Sequence, residues 1–163
     1  SAALTGDSTA LGVAISGLSR VARVSKPKGV RSEFHTLFIG LGRGELLPYA
    51  SYYLTGFLNE KPLANLRATM ASFGMTRADD VFEPEDNISS LMEMMAGMIV
   101  GRFGRIASGA EQNSFFNAHI GTWATHYFND LQAAKSSVLY ASVGAVGAAF
   151  MDIEREAFRM TAD

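Results

Sequence analysis

The stretch FEPEDNISSLMEMM, residues 82–95, changes from acidic to apolar within a few positions. Glu83, Glu85 and Asp86 surround a proline, and a methionine-rich run follows them directly. Pro84 is suited to a first helical turn, where its missing N–H costs no hydrogen bond. Acids at the same end of a helix face the positive pole of its dipole. The stretch therefore predicts the start of a long helix.

The rest of the chain repeats the helical pattern. Apolar residues recur at helical spacing in nearly every segment, and the alternation typical of strands is hard to find. A first helix is expected over residues 8–24, followed by a loop at residues 25–29. The next helix would have one apolar face, made of Val30, Phe34, Leu37, Phe38 and Leu41. We predict an all-α, single-domain bundle of about six or seven helices over residues 1–163.

Capping residues indicate where the later helices begin. Pro48 is expected in the first turn of one helix, and Asn59 is expected to cap the next, which ends before Gly74. Ser108 is the candidate N-cap of a helix that continues through residues 116–127. Ser136 or Ser137 would open the last helix, whose inward face is predicted to be Leu139, Val143, Val146, Phe150, Ile153 and Ala157.

The composition argues against several functional classes. With 48% hydrophobic and 18% charged residues, the chain is typical of a globular protein. A net charge of −2 argues against a nucleic-acid partner, and the absence of cysteine excludes disulfides and thiolate sites. The apolar run at residues 138–151 is too short to span a bilayer, and the N-terminus lacks a signal-peptide pattern. We expect a soluble protein whose start, at Ser1, is trimmed.

Two histidines are the candidates for metal or acid–base chemistry. His119 and His126 would lie on nearly one helix face but about 10 Å apart, which is too far to share a metal without other ligands. Packing or surface roles are therefore favoured. The glycine-rich residues 40–45 follow a predicted helix and lack the end of a phosphate loop, so they are interpreted as a chain reversal between helices. No catalytic residue, metal or cofactor is predicted.

Two other segments are candidates for a binding surface, with core packing and helix capping as the alternatives. Residues 48–57 hold three tyrosines, whose hydroxyls each need a partner, so a groove lining would use them well, while core packing explains them equally. Four of the 8 methionines fall within residues 92–98, and methionine adapts to varied apolar partners. Helix capping accounts for Glu85 and Asp86 but not for Glu83. This arrangement suits a peptide with arginines at one end and an apolar stretch behind them.

Three motifs in this order resemble those of the TorD family of chaperones. The first falls on Phe34, Leu37, Phe38 and Gly40. The second falls on Pro48, Tyr49, Ser51, Tyr53 and Leu54. The third falls on Glu83, Pro84, Asp86 and Asn87. The resemblance runs from about residue 30 to the end, but Asn87 stands where the family has histidine and the N-terminal region looks shorter.

The resemblance implies a helical, non-catalytic cytoplasmic chaperone without a bound cofactor or metal. It would bind the twin-arginine signal peptide and the apo catalytic subunit of a molybdoenzyme, assist cofactor insertion and delay export. Acids near Asp86 would meet the arginines, while Leu37 at a groove edge would face Tyr49 and Tyr53, with Phe38 in the core. The expected client-binding residues are Leu37, Phe38, Gly40, Pro48, Tyr49, Ser51, Tyr53, Glu83, Pro84, Glu85, Asp86 and Asn87.

Two alternatives come from other functional classes. One is a helical metal-dependent enzyme that uses His119, His126 and carboxylates. The other is a structural oligomerisation domain, because GAVGAA at residues 144–149 could form a closely packed helix surface. As a chaperone, the chain is expected to be a monomer or a homodimer, with residues 40–45 as a possible hinge for helix swapping.

Overall fold

The computed structural model describes residues 5–40 and 42–160, most of which are helical. The helices are α1 Ala10–Val24, α2 Pro27–Phe34, α3 Ala50–Thr55, α4 Lys61–Ser72, α5 Ile88–Val100, α6 Gly109–His119, α7 Ala124–Ala133 and α8 Leu139–Met160. A π-helical segment, His35–Ile39, continues α2. Across the described ranges the β-structure amounts to one isolated bridge, between Tyr49 and Asn87. The predicted all-α class is confirmed, with eight α-helices among the described residues instead of six or seven.

The additional helix arises because the helix expected through residues 116–127 is divided. The N–H groups of Ile120 and Gly121 both donate to the carbonyl of Phe116, at 2.9 and 2.8 Å, and this closes α6. The four residues whose spacing predicted one apolar stripe are nevertheless buried. They are Phe116, Ile120, Trp123 and Tyr127. None of the helices within the described ranges has the length and apolar character needed to cross a membrane.

The contacts of the chain separate it into two compact units. The first runs up to Leu47 and resumes over Thr125–Glu156, and the second comprises Pro48–Ala124 and resumes at Ala157. The single domain expected over residues 1–163 stays a prediction. Leu41, expected on the apolar face of the second helix, lies outside the described residues.

Within the first unit, two glutamates accept hydrogen bonds from the backbone that runs from the end of α7 into the first turn of α8. The Glu33 carboxylate accepts hydrogen bonds from the N–H groups of residues 138–140, at 2.7 to 3.2 Å. Glu45 accepts in the same way from residues 135 and 136, at 2.6 and 3.2 Å. The first N–H groups of a helix lack partners inside the helix, so outside acceptors stabilise its start. Carboxylates distant in sequence thus act where Ser136 or Ser137 was expected to cap.

Leu37 is buried more deeply than predicted. It is 0% exposed, whereas Phe38 is half-buried and packs on Phe34 and Tyr140, with ring centroids 5.1 and 5.4 Å apart. Both residues lie in the π-helical segment, whose hydrogen bonds span five residues and so turn its side chains away from the ordinary helical register. The prediction that Leu37 lines a groove edge is wrong, and Phe38, predicted to be mostly core, is partly buried.

The chain reverses after Gly40, as the glycines of this segment predicted. Gly40 has a φ of 62°, and a Cβ at this position would overlap with the carbonyl oxygen of Arg43. Beyond the turn, the N–H of Leu46 donates to the carbonyl of Leu37 at 2.8 Å. Gly40, one of the expected client-binding residues, is therefore required for the turn itself.

The small residues of α8 pack against α7 within the same unit. A Cβ on Gly144 would lie 2.7 Å from the carbonyl oxygen of Phe128, and one on Gly147 would collide with the Phe128 ring. Phe150 and Ile153, predicted to face inward, are exposed. Because the glycines of GAVGAA already serve contacts inside the chain, the oligomerisation alternative loses the observation that favoured it.

In the second unit, α4, α5 and α6 share an apolar core. Its buried side chains include Leu63, Leu66 and Met70 from α4, Leu91, Met95 and Met98 from α5, and Phe115 and Phe116 from α6. Two of the predicted boundary residues, Ser108 and Gly74, are confirmed. Ser108 forms a capping box with Glu111, and Gly74 follows α4 with a φ of 67°. Glu60, rather than Asn59, occupies the N-cap position of α4.

Candidate functional site

The helix α5 begins later than the sequence predicted. Asn87 is its N-cap, and its side-chain oxygen accepts from the N–H of Ser89 at 2.9 Å. Pro84, Glu85 and Asp86 therefore precede the helix and do not occupy its first turn. Residues 79–86 form a segment that we call the acidic loop. The helix dipole does not explain its acids, so each needs its own physical account.

Asp86 joins the acidic loop to the start of α3. Its backbone carbonyl accepts from the N–H of Ala50 at 3.0 Å, and its Oδ2 accepts from the N–H of Ser51 at 2.7 Å. In the opposite direction, the N–H of Ile88 donates to the carbonyl of Pro48 at 2.9 Å. We call these bonds the Asp86 clamp. These bonds give acceptors to backbone N–H groups at the starts of α3 and α5, which would otherwise be unpaired.

The clamp is almost completely buried. Asp86 is 1% exposed and Ser51 is fully buried. Asp86 Oδ1 and Ser51 Oγ have no hydrogen-bond partner within residues 5–40 and 42–160. Burial of a carboxylate is costly and is tolerated when the group holds structure together. The placement does not support the expectation that Asp86 itself meets arginines, because its side chain offers almost no accessible surface.

Glu85 is occupied by arginines of this chain. Nε and Nη2 of Arg67 donate to Glu85 Oε2 at 3.1 and 2.8 Å, and Nε of Arg77 lies 3.8 Å from Oε1. The Glu85 side chain is 10% exposed. Burial alone would raise the pKa of this carboxyl, but the Arg67 hydrogen bond and the two positive charges outweigh it and lower the pKa. Glu85 thus remains ionised and ties the acidic loop to α4.

Glu83 differs from its neighbours because its side chain is exposed. In the described part of the chain, its partner is the hydroxyl of Tyr49, which donates to Oε2 at a long 3.4 Å. Burial, followed by the charge of Glu83, raises the pKa of Tyr49, so the hydroxyl keeps its proton. Of the three acids in the opening stretch, Glu83 has the carboxylate most open to a new partner.

A cleft of about 230 Å³ lies beside Glu83, bounded by α4, α5 and the acidic loop. We call it the methionine cleft. Its charged lining residues are Glu83, Glu85, Glu93, Arg77 and Arg102, and its larger apolar ones are Met70, Met75, Met94, Val81 and Phe103. The cleft therefore brings acids and methionines together, but Met94 is the one member of the predicted methionine run that lines it.

The expected client-binding residues are divided between the two units. Pro48, Tyr49 and Ser51 lie beside residues 83–87 through the Asp86 clamp. Leu37, Phe38 and Gly40 belong to the other unit. Tyr53 is half-buried and packs on Trp123, with ring centroids 5.3 Å apart. The three tyrosines are half-buried, so they pack partly in the core, and their role as a groove lining stays a prediction.

The two histidines lie on different helices. His119 of α6 is 7% exposed, and its Nε2 is 2.9 Å from Oγ1 of Thr69. His126 of α7 is exposed. No group of three or more potential ligands among the described residues is arranged to hold a metal ion. The metal-enzyme alternative assumed that both histidines lie on one helix, and the break between α6 and α7 removes that assumption.

Replacing Asp86 with alanine should lower the free energy of unfolding by about 1–3 kcal/mol, because the buried N–H of Ser51 loses its acceptor. Chemical denaturation measures this change. Asp80→Ala is the matched control, since it removes an exposed acid from the same loop and should change stability by less than about 0.5 kcal/mol. Equal stabilities of the two variants would contradict the clamp.

Stability should depend on pH through His119, since burial lowers the pKa of this group below its usual 6.5. The folded state binds the proton less readily than the unfolded chain. The contribution of neutral His119 is therefore complete above the unfolded pKa and is lost as the pH falls through it. Denaturation between about pH 7.5 and 5.5 should show a smaller loss for His119→Gln than for the wild type.

The exposed His126 provides the control for this experiment. His126→Gln should keep the pH dependence of the wild type. An unchanged pH dependence in His119→Gln would show that the buried imidazole does not carry the effect.

The sequence of the chain is similar to one family model and to several named proteins. The family model described as nitrate reductase delta subunit matches residues 5–129. Chaperone protein TorD of Vibrio cholerae is 25% identical over 132 residues, which cover 76% of this chain and 60% of the relative. Chaperone protein TorD of Vibrio atlanticus is 27% identical over 134 residues, covering 77% and 62%.

A shorter match supports the same relationship. Chaperone protein TorD of Photobacterium profundum is 31% identical over 71 residues, which cover 42% of this chain and 33% of the relative. The chain spans about 60% of the length of the Vibrio relatives that it matches. These matches confirm the resemblance to TorD proteins. Since the family model covers most of its length, the chain belongs to the nitrate reductase delta subunit family.

Proposed function

We propose that this chain is a cytoplasmic chaperone in the maturation of a molybdenum-cofactor redox enzyme. It binds the twin-arginine signal peptide and the apo catalytic subunit, assists cofactor insertion and delays export. The relatives support this proposal, because they are named chaperone protein TorD. The observation that carries it is the methionine cleft, where open carboxylates stand beside thioether side chains. This role requires neither a catalytic residue nor a bound cofactor.

The chemistry of the methionine cleft suits an arginine followed by apolar residues. A guanidinium presents two parallel N–H groups that match the two oxygens of a carboxylate. The Glu83 carboxylate is exposed and its hydrogen bond with Tyr49 is long, so a guanidinium can replace that bond at small cost. Met94, which is half-buried in the cleft wall, adds flexible apolar surface that adapts to different client sequences, and the buried Met70 and Met75 lie behind it in the core.

The apolar part of the peptide would lie along α3 and the residues that follow it. Leu54, Phe57 and Leu58 are large, apolar and exposed. Tyr53 is half-buried beside them, with an aromatic face and a polar tip. Covering one such aliphatic or aromatic side chain contributes about 1.5–3 kcal/mol. Leu37 takes no part in this surface, because it is completely buried.

The expected site residues thus acquire two kinds of role in this proposal. Tyr49, Tyr53 and Glu83 touch the client. Six others keep the binding elements in position. They are Pro48, Ser51, Pro84, Glu85, Asp86 and Asn87, all in the second unit. Leu37, Phe38 and Gly40 belong to the first unit and have no assigned role in this proposal. Asn87 caps α5 with its side-chain amide, so binding should not depend on a titratable group at this position.

A synthetic twin-arginine signal peptide should bind the chain, and replacing both arginines with lysines should weaken binding about tenfold, or about 1.4 kcal/mol. Lysine keeps the charge but cannot form the paired contact that guanidinium makes with a carboxylate. Isothermal titration calorimetry measures both affinities. Equal affinities would count against arginine recognition by carboxylates, and the absence of binding by either peptide would overturn the proposed function.

A further inference from the structure

We propose that Glu83 and Glu93 are the two carboxylates of the methionine cleft that receive the arginines of the client peptide. This inference rests on the proposed function and specifies the recognition site within it. Glu83 lies on the acidic loop and Glu93 on α5, so the two carboxylates come from different walls of one cleft. Asp86 and Glu85, although adjacent in sequence to Glu83, act as positioning residues.

Asp86 and Glu85 differ from Glu83 and Glu93 in their burial and in the hydrogen bonds that their carboxylate oxygens already accept. Asp86 is 1% exposed, and its Oδ2 is taken by the N–H of Ser51. Glu85 receives two hydrogen bonds from Arg67. An incoming guanidinium would have to displace these partners and expose buried charge, which is strongly unfavourable. Glu83 and Glu93 are exposed and require no such rearrangement.

Glu93 lies beside an apolar residue of the cleft lining, Met94. On α5, Ser90, Glu93 and Met94 follow one another at positions i, i+3 and i+4, so they share a helix face, and all three line the cleft. An arginine can lay its alkyl chain along a thioether while its charged group reaches the rim. Glu93 therefore stands where the end of such a side chain would arrive.

The charges that line the cleft leave room for a cation. Three carboxylates and two guanidiniums contribute to the lining. Arg77 faces Glu85 at 3.8 Å. Glu83 and Glu93 then stand against Arg102 alone, and none of these three forms an ion pair within the described residues. The lining therefore carries one net negative charge, which favours a cationic partner over a neutral or anionic one.

The test titrates the twin-arginine peptide and its double-lysine version into the wild type, Glu83→Gln, Glu93→Gln and the double variant. Each single change should weaken binding of the arginine peptide about tenfold. It should also reduce the preference for arginine over lysine, an effect that general loss of charge would not produce. Asp79→Asn is the matched control, because it removes an exposed acid from the same loop outside the cleft lining, and it should keep both affinities.

The outcomes separate this inference from the function on which it rests. If the wild type prefers the arginine peptide and both glutamine variants keep that preference, the assignment of Glu83 and Glu93 is overturned while the proposed function stands. If the wild type binds neither peptide, both are overturned. Denaturation of each variant checks that folding is unchanged. A variant that unfolds is replaced by the aspartate substitution at the same position, which keeps the charge but should lose the arginine preference.

Discussion

The second unit depends on one buried carboxylate, that of Asp86. Its hydrogen bond with the N–H of Ser51 and the flanking backbone bonds join the start of α3 to the chain that enters α5. This connection places Tyr49 beside Glu83, and it sets the position from which Glu85 reaches Arg67. The proposed recognition surface is thus a consequence of a structural bond made by a residue that is itself inaccessible.

Three acids within four residues have three different roles, and their surroundings decide which. Asp86 is buried against backbone amides, and Glu85 is held by two arginines. Glu83 stays exposed with a single long hydrogen bond. Because Asp86 and Glu85 are held by their partners, Glu83 can meet a ligand without reorganisation of the loop. Preorganisation of this kind favours binding.

The local features of the fold could be predicted from the sequence, and those made by distant residues could not. The capping box at Ser108 and the glycine that ends α4 depend on neighbouring residues, so spacing reveals them. The bonds from Glu33 to the start of α8 and from Arg67 to Glu85 join distant positions and leave no periodic signal. Glu93 was missed for a related reason, since one charged residue on a helix is usually an exposed surface position.

In the proposed complex, Glu83 and Glu93 receive the client's arginines while Asp86 holds the loop in place. The most direct measurement is to follow the side-chain carboxyl carbons by NMR as the twin-arginine peptide is titrated into the wild-type chain. We predict that the signals of Glu83 and Glu93 shift with the bound fraction and that the signal of Asp86 does not. A shift confined to Asp86, with Glu83 and Glu93 unchanged at saturation, would contradict the account.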